Sequence, residues 1–136
     1  MSYQILLLVC SVIKNPIINV LDNLLEKEEF LACMIADHNL NYIIPTSEKS
    51  NPIVKENISD LKRNMNNIFK IIDSYSKLKL EKMKWTFTDY DAWFYIFPDF
   101  QSTLIAIVPT LSNEGLIEVE LEKARLKILE INKKNR

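Results

Sequence analysis

The chain reads as a three-layer α/β/α unit built on a five-stranded, mainly antiparallel sheet, and three observations lead there. Apolar runs of strand length and stretches of helical periodicity follow one another as helix, two strands, helix, three strands, helix. Trp85, Phe87, Trp93 and Tyr95 alternate with other side chains around the polar Asp89-Tyr90-Asp91, the period-two signature of a hairpin. The last third runs from the apolar Ser102–Pro109 through Thr110-Leu111-Ser112-Asn113 into an amphipathic stretch that opens Glu114-Gly115-Leu116.

Each element has a local cause. Asn15-Pro16 is a helix start, with a capping side chain and a proline at the first helical position, and Ile17, Val20, Leu21 and Leu24 then form one stripe through about Glu28. Phe30–Ala36 is an apolar strand. Asp37-His38-Asn39 is its turn, with Asn39 in the left-handed conformation that glycine usually supplies, and Leu40–Ile44 returns as the second strand. Pro45–Lys55 is polar, contains Pro52 and reads as a loop. A long helix follows from about Ile58 to Leu78, with Leu61, Met65, Ile68, Ile72 and Tyr75 on one stripe. Phe69 and Ile71 widen that stripe, which suggests two covered sides, one against the sheet and one against a partner. Strands at Met83–Thr88, Ala92–Phe97 and Thr103–Val108 precede a closing helix from near Ser112 or Asn113 to about Asn132. Its Leu116, Ile117, Val119, Leu121, Ala124, Leu126, Ile128 and Ile131 carry more apolar character than one buried stripe needs. Gly115 is the only glycine, and because glycine inside a helix costs roughly 0.5–1 kcal/mol, it suggests a close approach to the backbone there.

The organisation is one domain, residues 15–132, preceded by an apolar extension (1–14, an extra helix or strand) and followed by a basic tail (133–136). The run Ile5–Ile13 stops at Lys14-Asn15-Pro16, short of the ~20 residues a spanning helix needs. It also lacks the charged start and small-residue cleavage site of a secretory signal. No membrane span and a cytoplasmic location are therefore expected, with membrane association only through a partner. A net charge of −1 supplies no field for nucleic acid. Cys10 and Cys33 stand far apart without a C-x-x-C, so a reducing compartment is the default.

Catalytic chemistry finds no constellation. His38 is the only histidine, which excludes a His-rich metal site, and its place in a turn reads as a solvated tip. Asp37, Asp89, Asp91 and Asp99 sit at turns, where carboxylates accept from backbone N–H groups. No phosphate-binding glycine loop or nucleophile elbow occurs. No metal, no cofactor and no enzymatic activity are expected. On the middle helix, Lys62, Arg63, Lys70 and the neighbouring asparagines Asn64, Asn66 and Asn67 face outward, either as a solvated face or as a polar rim around Phe69.

The element order, together with Thr103–Pro109 leading into Asn113-Glu114-Gly115-Leu116-Ile117-Glu118-Val119-Glu120-Leu121, resembles the Roadblock/LC7 family, whose corresponding helix opens Asn-Leu-Gly-Leu-x-Arg-x-x-Leu. Asn113, Gly115, Leu116 and Leu121 fall on that pattern, and Ala32–Leu40 resembles the family's strand, Asp-Gly turn and following leucine. Asn39 stands in place of the turn glycine, Glu114 in place of a leucine, and Glu118 where a basic residue is common. The resemblance implies a profilin-like sandwich with two helices on one face of the sheet and one long helix on the other. It also implies a non-enzymatic dimer, with itself or a paralogue, that serves as an adaptor or regulator of a Ras-like small GTPase. It places the dimer interface at Leu61, Met65, Phe69 and Asp73 of the middle helix and Lys84, Trp85, Thr86 and Phe87 of the third strand. The GTPase-facing surface falls at Lys62, Arg63, Asn66 and Lys70. The competing reading is a longin-like trafficking or adaptor module, in which Ile5–Ile13 would be a central strand; a small-molecule sensor would need a pocket the sequence does not advertise.

Overall fold

The computed structural model describes residues 16–48, 50–97 and 101–134, so the expectations for Ile5–Ile13, Asp99 and the end of the basic tail lie outside the described residues. Helix α1 spans residues 16–25. It is followed by β1 (Ala32–Asp37), β2 (Tyr42–Ile43), helix α2 (Pro52–Ser74), β3 (Lys82–Thr86), β4 (Tyr90–Phe97), β5 (Ser102–Pro109) and helix α3 (Glu114–Lys134). The strands form one sheet in the order β2-β1-β5-β4-β3, and every neighbouring pair is antiparallel.

Alternation along the strands divides the core in two. Cys33, Ile35, Trp93, Tyr95, Phe97, Leu104, Ala106 and Val108 point to one face, where Ile17, Val20, Leu21 and Leu24 of α1 and Ile117, Leu121, Ala124 and Ile128 of α3 cover them. Ala32, Met34, Ala36, Ala92, Phe94, Ile96, Ile105 and Ile107 point to the other, under Val54, Ile58, Leu61, Met65, Ile68, Phe69 and Ile72 of α2. Two helices on one face and one long helix on the other is the layering that the resemblance implied. Strands β1, β4 and β5 are buried on both faces and so read as continuous apolar runs.

Strands β1, β2 and β3 begin or end one or two residues from expectation, β2 shrinking to Tyr42–Ile43, and three further differences have a local reason. Helix α2 starts six residues before Ile58, at Pro52, because a proline's missing N–H is harmless in the first turn. Asn51 caps it, its Oδ1 accepting from Ile53 N–H at 3.0 Å. The helix ends at Ser74, where Tyr75 N–H turns back to the carbonyls of Ile72 and Asp73; a 3₁₀ turn (Ser76–Leu78) and the left-handed Lys79 (φ 56°) lead into β3. In the first hairpin the left-handed residue is Leu40 (φ 62°), not Asn39. Asp37 Oδ1 accepts from Asn39 N–H and from Asn41 N–H, both at 2.9 Å, and this carboxylate bridge carries the reversal one residue further along.

Two expectations about turns and the glycine are also corrected. Asp91 belongs to β4 and is buried, its Oδ1 without a hydrogen-bond partner. Gly115 is not pressed by a neighbouring element: a Cβ there would meet only Asn113 Oδ1, at 3.4 Å.

Candidate interaction surface

The sheet has two edges of unequal character. At β2 the edge is two residues long. At β3 it is five residues long; one side of its backbone pairs with β4, and among the described residues no strand lies on the other. An unpaired strand edge is a row of N–H and C=O groups ready to accept another strand.

Alternation gives the β3 edge two chemically distinct flanks. Met83 and Trp85 pack toward the α2 side; Trp85 lies against Phe94 (ring centroids 5.3 Å apart) and Phe87 (6.3 Å), and Phe87 stacks in turn on Tyr90 at 5.0 Å. Phe87 itself stays 42% exposed, so an aromatic ladder ends at the surface beside the open strand. On the other flank Lys82 and Lys84 lie over the Tyr95 and Trp93 rings, at 5.6 and 5.3 Å, and Lys84 pairs with Glu114 at the start of α3. The Glu114 hydrogen bond, reinforced by the charges of Asp91 and Glu118, raises the Lys84 ammonium above its ordinary pKa and keeps it charged. Between this flank and α3 runs a groove of about 810 Å³, walled by Glu81, Tyr95, Glu118, Glu122 and Arg125. Hydrogen bonding to Arg125 holds the Glu122 carboxyl below its ordinary range.

Of the middle-helix candidates, Leu61, Met65 and Phe69 lie in this chain's own core, at 6%, 0% and 5% exposure. Phe69 stacks on His38 (4.7 Å), whose Nδ1 lies 3.3 Å from Asp73 Oδ1; His38 is thus a packed hairpin residue, and not the solvated tip that its turn position suggested. Lys62 reaches Glu48 at 3.3 Å and lies over the Tyr42 ring. Lys62, Phe69 and Asp73 therefore flank the β1–β2 side of α2. At about 3.6 residues per turn, the opposite flank, toward β3, carries Ile53, Asn64 and Ile71, and Ile53 and Ile71 are 66% and 37% exposed. In the sequence Ile71 stands out as extra apolar width, whereas Ile53 does not, because Pro52 beside it reads as part of a loop. Arg63, Asn66 and Lys70 share the outward face; Arg63 is ion-paired with Asp60.

The remaining candidates are structural. Asn113 caps α3, its Oδ1 accepting from Leu116 N–H at 3.2 Å while Ile117 N–H donates to its carbonyl at 3.0 Å. Leu121 is fully buried and Leu116 is 38% exposed. Among the described residues no group of three or more His, Cys, Asp or Glu could hold a metal ion, and no helix is long and apolar enough to cross a membrane. Cys33 is buried, and desolvation, with a smaller contribution from Asp22, holds its thiol far above the ordinary pKa.

The sheet order, the two-and-one distribution of helices and the free β3 edge together define a Roadblock/LC7-like sandwich. Among solved structures the chain is similar to MglB of Myxococcus xanthus, with a TM-score of 0.70 and 13% sequence identity over 90% of this chain and 92% of that one. No protein-family model and no curated protein matches the sequence.

Proposed function

We propose that this chain is a non-enzymatic, cytoplasmic adaptor and regulator of a Ras-like small GTPase that works as a dimer, with itself or with a paralogue. The observation that carries the reading is the open β3 edge with an aromatic ladder beside it, in a fold similar to that of MglB. Two such edges side by side would continue the sheet across a two-fold axis, and the backbone hydrogen bonds and buried rings of Trp85 and Phe87 would act together. Lys84 and Thr86 lie on the same strand, on its other flank. From α2 the contact would draw on Ile53, Asn64 and Ile71, because the chain's own sheet already covers Leu61, Met65 and Phe69. The polar outward face with Arg63, Asn66 and Lys70 is the surface offered to the GTPase. The nucleotide, its Mg²⁺ and the reacting groups would belong to the GTPase, and any change in hydrolysis rate would come from ordering its switch segments.

The test is Trp85→Glu in the purified protein. A fall from dimer to monomer mass, with the unfolding transition retained, supports the reading; a dimer that persists in Trp85→Glu and in Ile71→Glu sinks the interface. The longin-like alternative turns on Ile5–Ile13 as a central strand. Among the described residues a helix precedes β1, and the central strand is β5.

A further inference from the structure

The flank of the β3 edge toward α3 holds charges of both signs that do not meet. Glu114 pairs with Lys84, but Glu118, one turn further along the same side of α3, is exposed and makes no ion pair among the described residues. Lys82 is exposed as well. It lies over the Tyr95 ring at 5.6 Å and makes no ion pair among the described residues either.

The two sit at different levels of the edge. Lys84, toward the end of β3, reaches Glu114 at the start of α3 and feels the charge of Glu118. Lys82, at the beginning of the strand, lies toward Glu122, further along the helix. Two β3 edges joined about an axis normal to the sheet run antiparallel, with the α3 sides of both copies facing the same way. The beginning of one strand then lies beside the end of the other. Lys82 of each copy thus arrives where Lys84 and Thr86 of the other stand, beside the acidic start of the other's α3. Such pairing also brings two lysine rows together, and like charges opposed across strands weaken the pair. Glu114 answers only Lys84 of its own chain, which leaves Glu118 as the carboxylate for the incoming lysine.

We propose that the partner on the β3 edge is a second copy of this chain, and that Glu118 of each copy forms an ion pair with Lys82 of the other. This rests on the reading of β3 as a dimer edge. A two-fold contact must be self-complementary, residue i meeting j while j meets i. One sequence here supplies both halves of the pair, and the symmetry makes it twice.

The experiment uses the full chain, followed by sedimentation velocity over a concentration series, with Lys82→Glu and Glu118→Lys made separately. Each should weaken self-association at least about tenfold, because the symmetry removes two pairs per dimer and replaces both with repulsion. An equimolar mixture of the two variants, one isotopically heavy, should form light–heavy dimers at close to wild-type affinity, counted by native mass spectrometry. In that mixed dimer both cross-contacts again join opposite charges. Variants that self-associate like the wild type overturn the proposal. Weakening that mixing does not relieve also overturns it and assigns the two side chains to contacts within one chain. A wild-type chain that stays monomeric at every concentration overturns the second copy and leaves the edge to a paralogue. A dimer that survives Trp85→Glu overturns the edge reading and this pair together, whereas failed charge exchanges beside a monomeric Trp85→Glu remove only the pair.

Discussion

Asn113 and Leu111 stand two residues apart and are opposite in energetic sense. Asn113 satisfies a backbone N–H at the start of α3 that no helical carbonyl can reach. Asn113→Ala should lower unfolding stability by about 1 kcal/mol, read as a lower urea midpoint at constant slope. Leu111 holds φ 67° with its side chain 97% exposed, so it bears a left-handed backbone with no packing to offset it. Leu111→Gly should therefore raise stability by about 1 kcal/mol in the same assay. A null or negative result would mean that the loop tip makes a compensating contact in solution. Ser112 Oγ to Pro109 O (2.6 Å), and Thr110 N–H to Asp89 O and Thr110 Oγ1 to Thr88 O (both 3.3 Å), keep the loop in this shape whatever stands at 111.

At the scale of elements, the charged latch between Glu122 and Arg125 lies on the part of α3 that walls the β3 groove. Because Glu122 is held below its ordinary value of 4.5, it binds its proton less readily when folded than when unfolded. Its contribution is thus fully present above pH 4.5 and fades as pH falls through the lowered folded value. Glu122→Gln should lower stability above pH 4.5, by a small amount because the pair is partly exposed and screened, and leave it unchanged in strong acid, so that the acid limb of the stability–pH curve flattens. A parallel downward shift at all pH values would contradict this. The elements themselves were largely legible. Strands β3 and β4 announced themselves by period-two aromatics, and β5 by an apolar run between turn residues. Pro52 concealed six residues of α2, because a proline at a first helical turn and a proline in a loop look alike until the Asn51 cap is seen. The β3 edge was legible for the same reason as its strand. Which apolar side chains of α2 the sheet covers was not legible: Leu61, Met65, Phe69, Ile53 and Ile71 are all apolar, and periodicity does not say that the first three are buried and the last two exposed.

For the molecule as a whole, the adaptor reading requires assembly. Light scattering on the eluting protein across a concentration series should give about twice the 15.9 kDa chain mass. A stable monomer would redirect the search to a paralogous partner recovered by co-purification. If the β3 edges pair as proposed, the outward face of α2 stays available, and Arg63→Glu combined with Lys70→Glu should abolish capture of a GTPase while the dimer mass is kept. Loss of both together would place those residues in the subunit contact instead.

The position of β5 has a consequence for how the chain acquires its shape. This strand comes last in sequence but lies in the middle of the sheet, pairing Ala32–Asp37 on one side and Tyr90–Phe97 on the other. Until residue 109 has left the ribosome, β1–β2 and β3–β4 are two hairpins with no backbone bond between them, and isolated hairpins are marginal in water. The first hairpin must wait for a partner about seventy residues downstream, a separation that slows folding and lengthens the exposure of Cys33, Met34 and Ile35. During synthesis the molecule is therefore two unfinished halves, and a single late segment converts them into one sheet and leads into α3, which closes over the same face as α1.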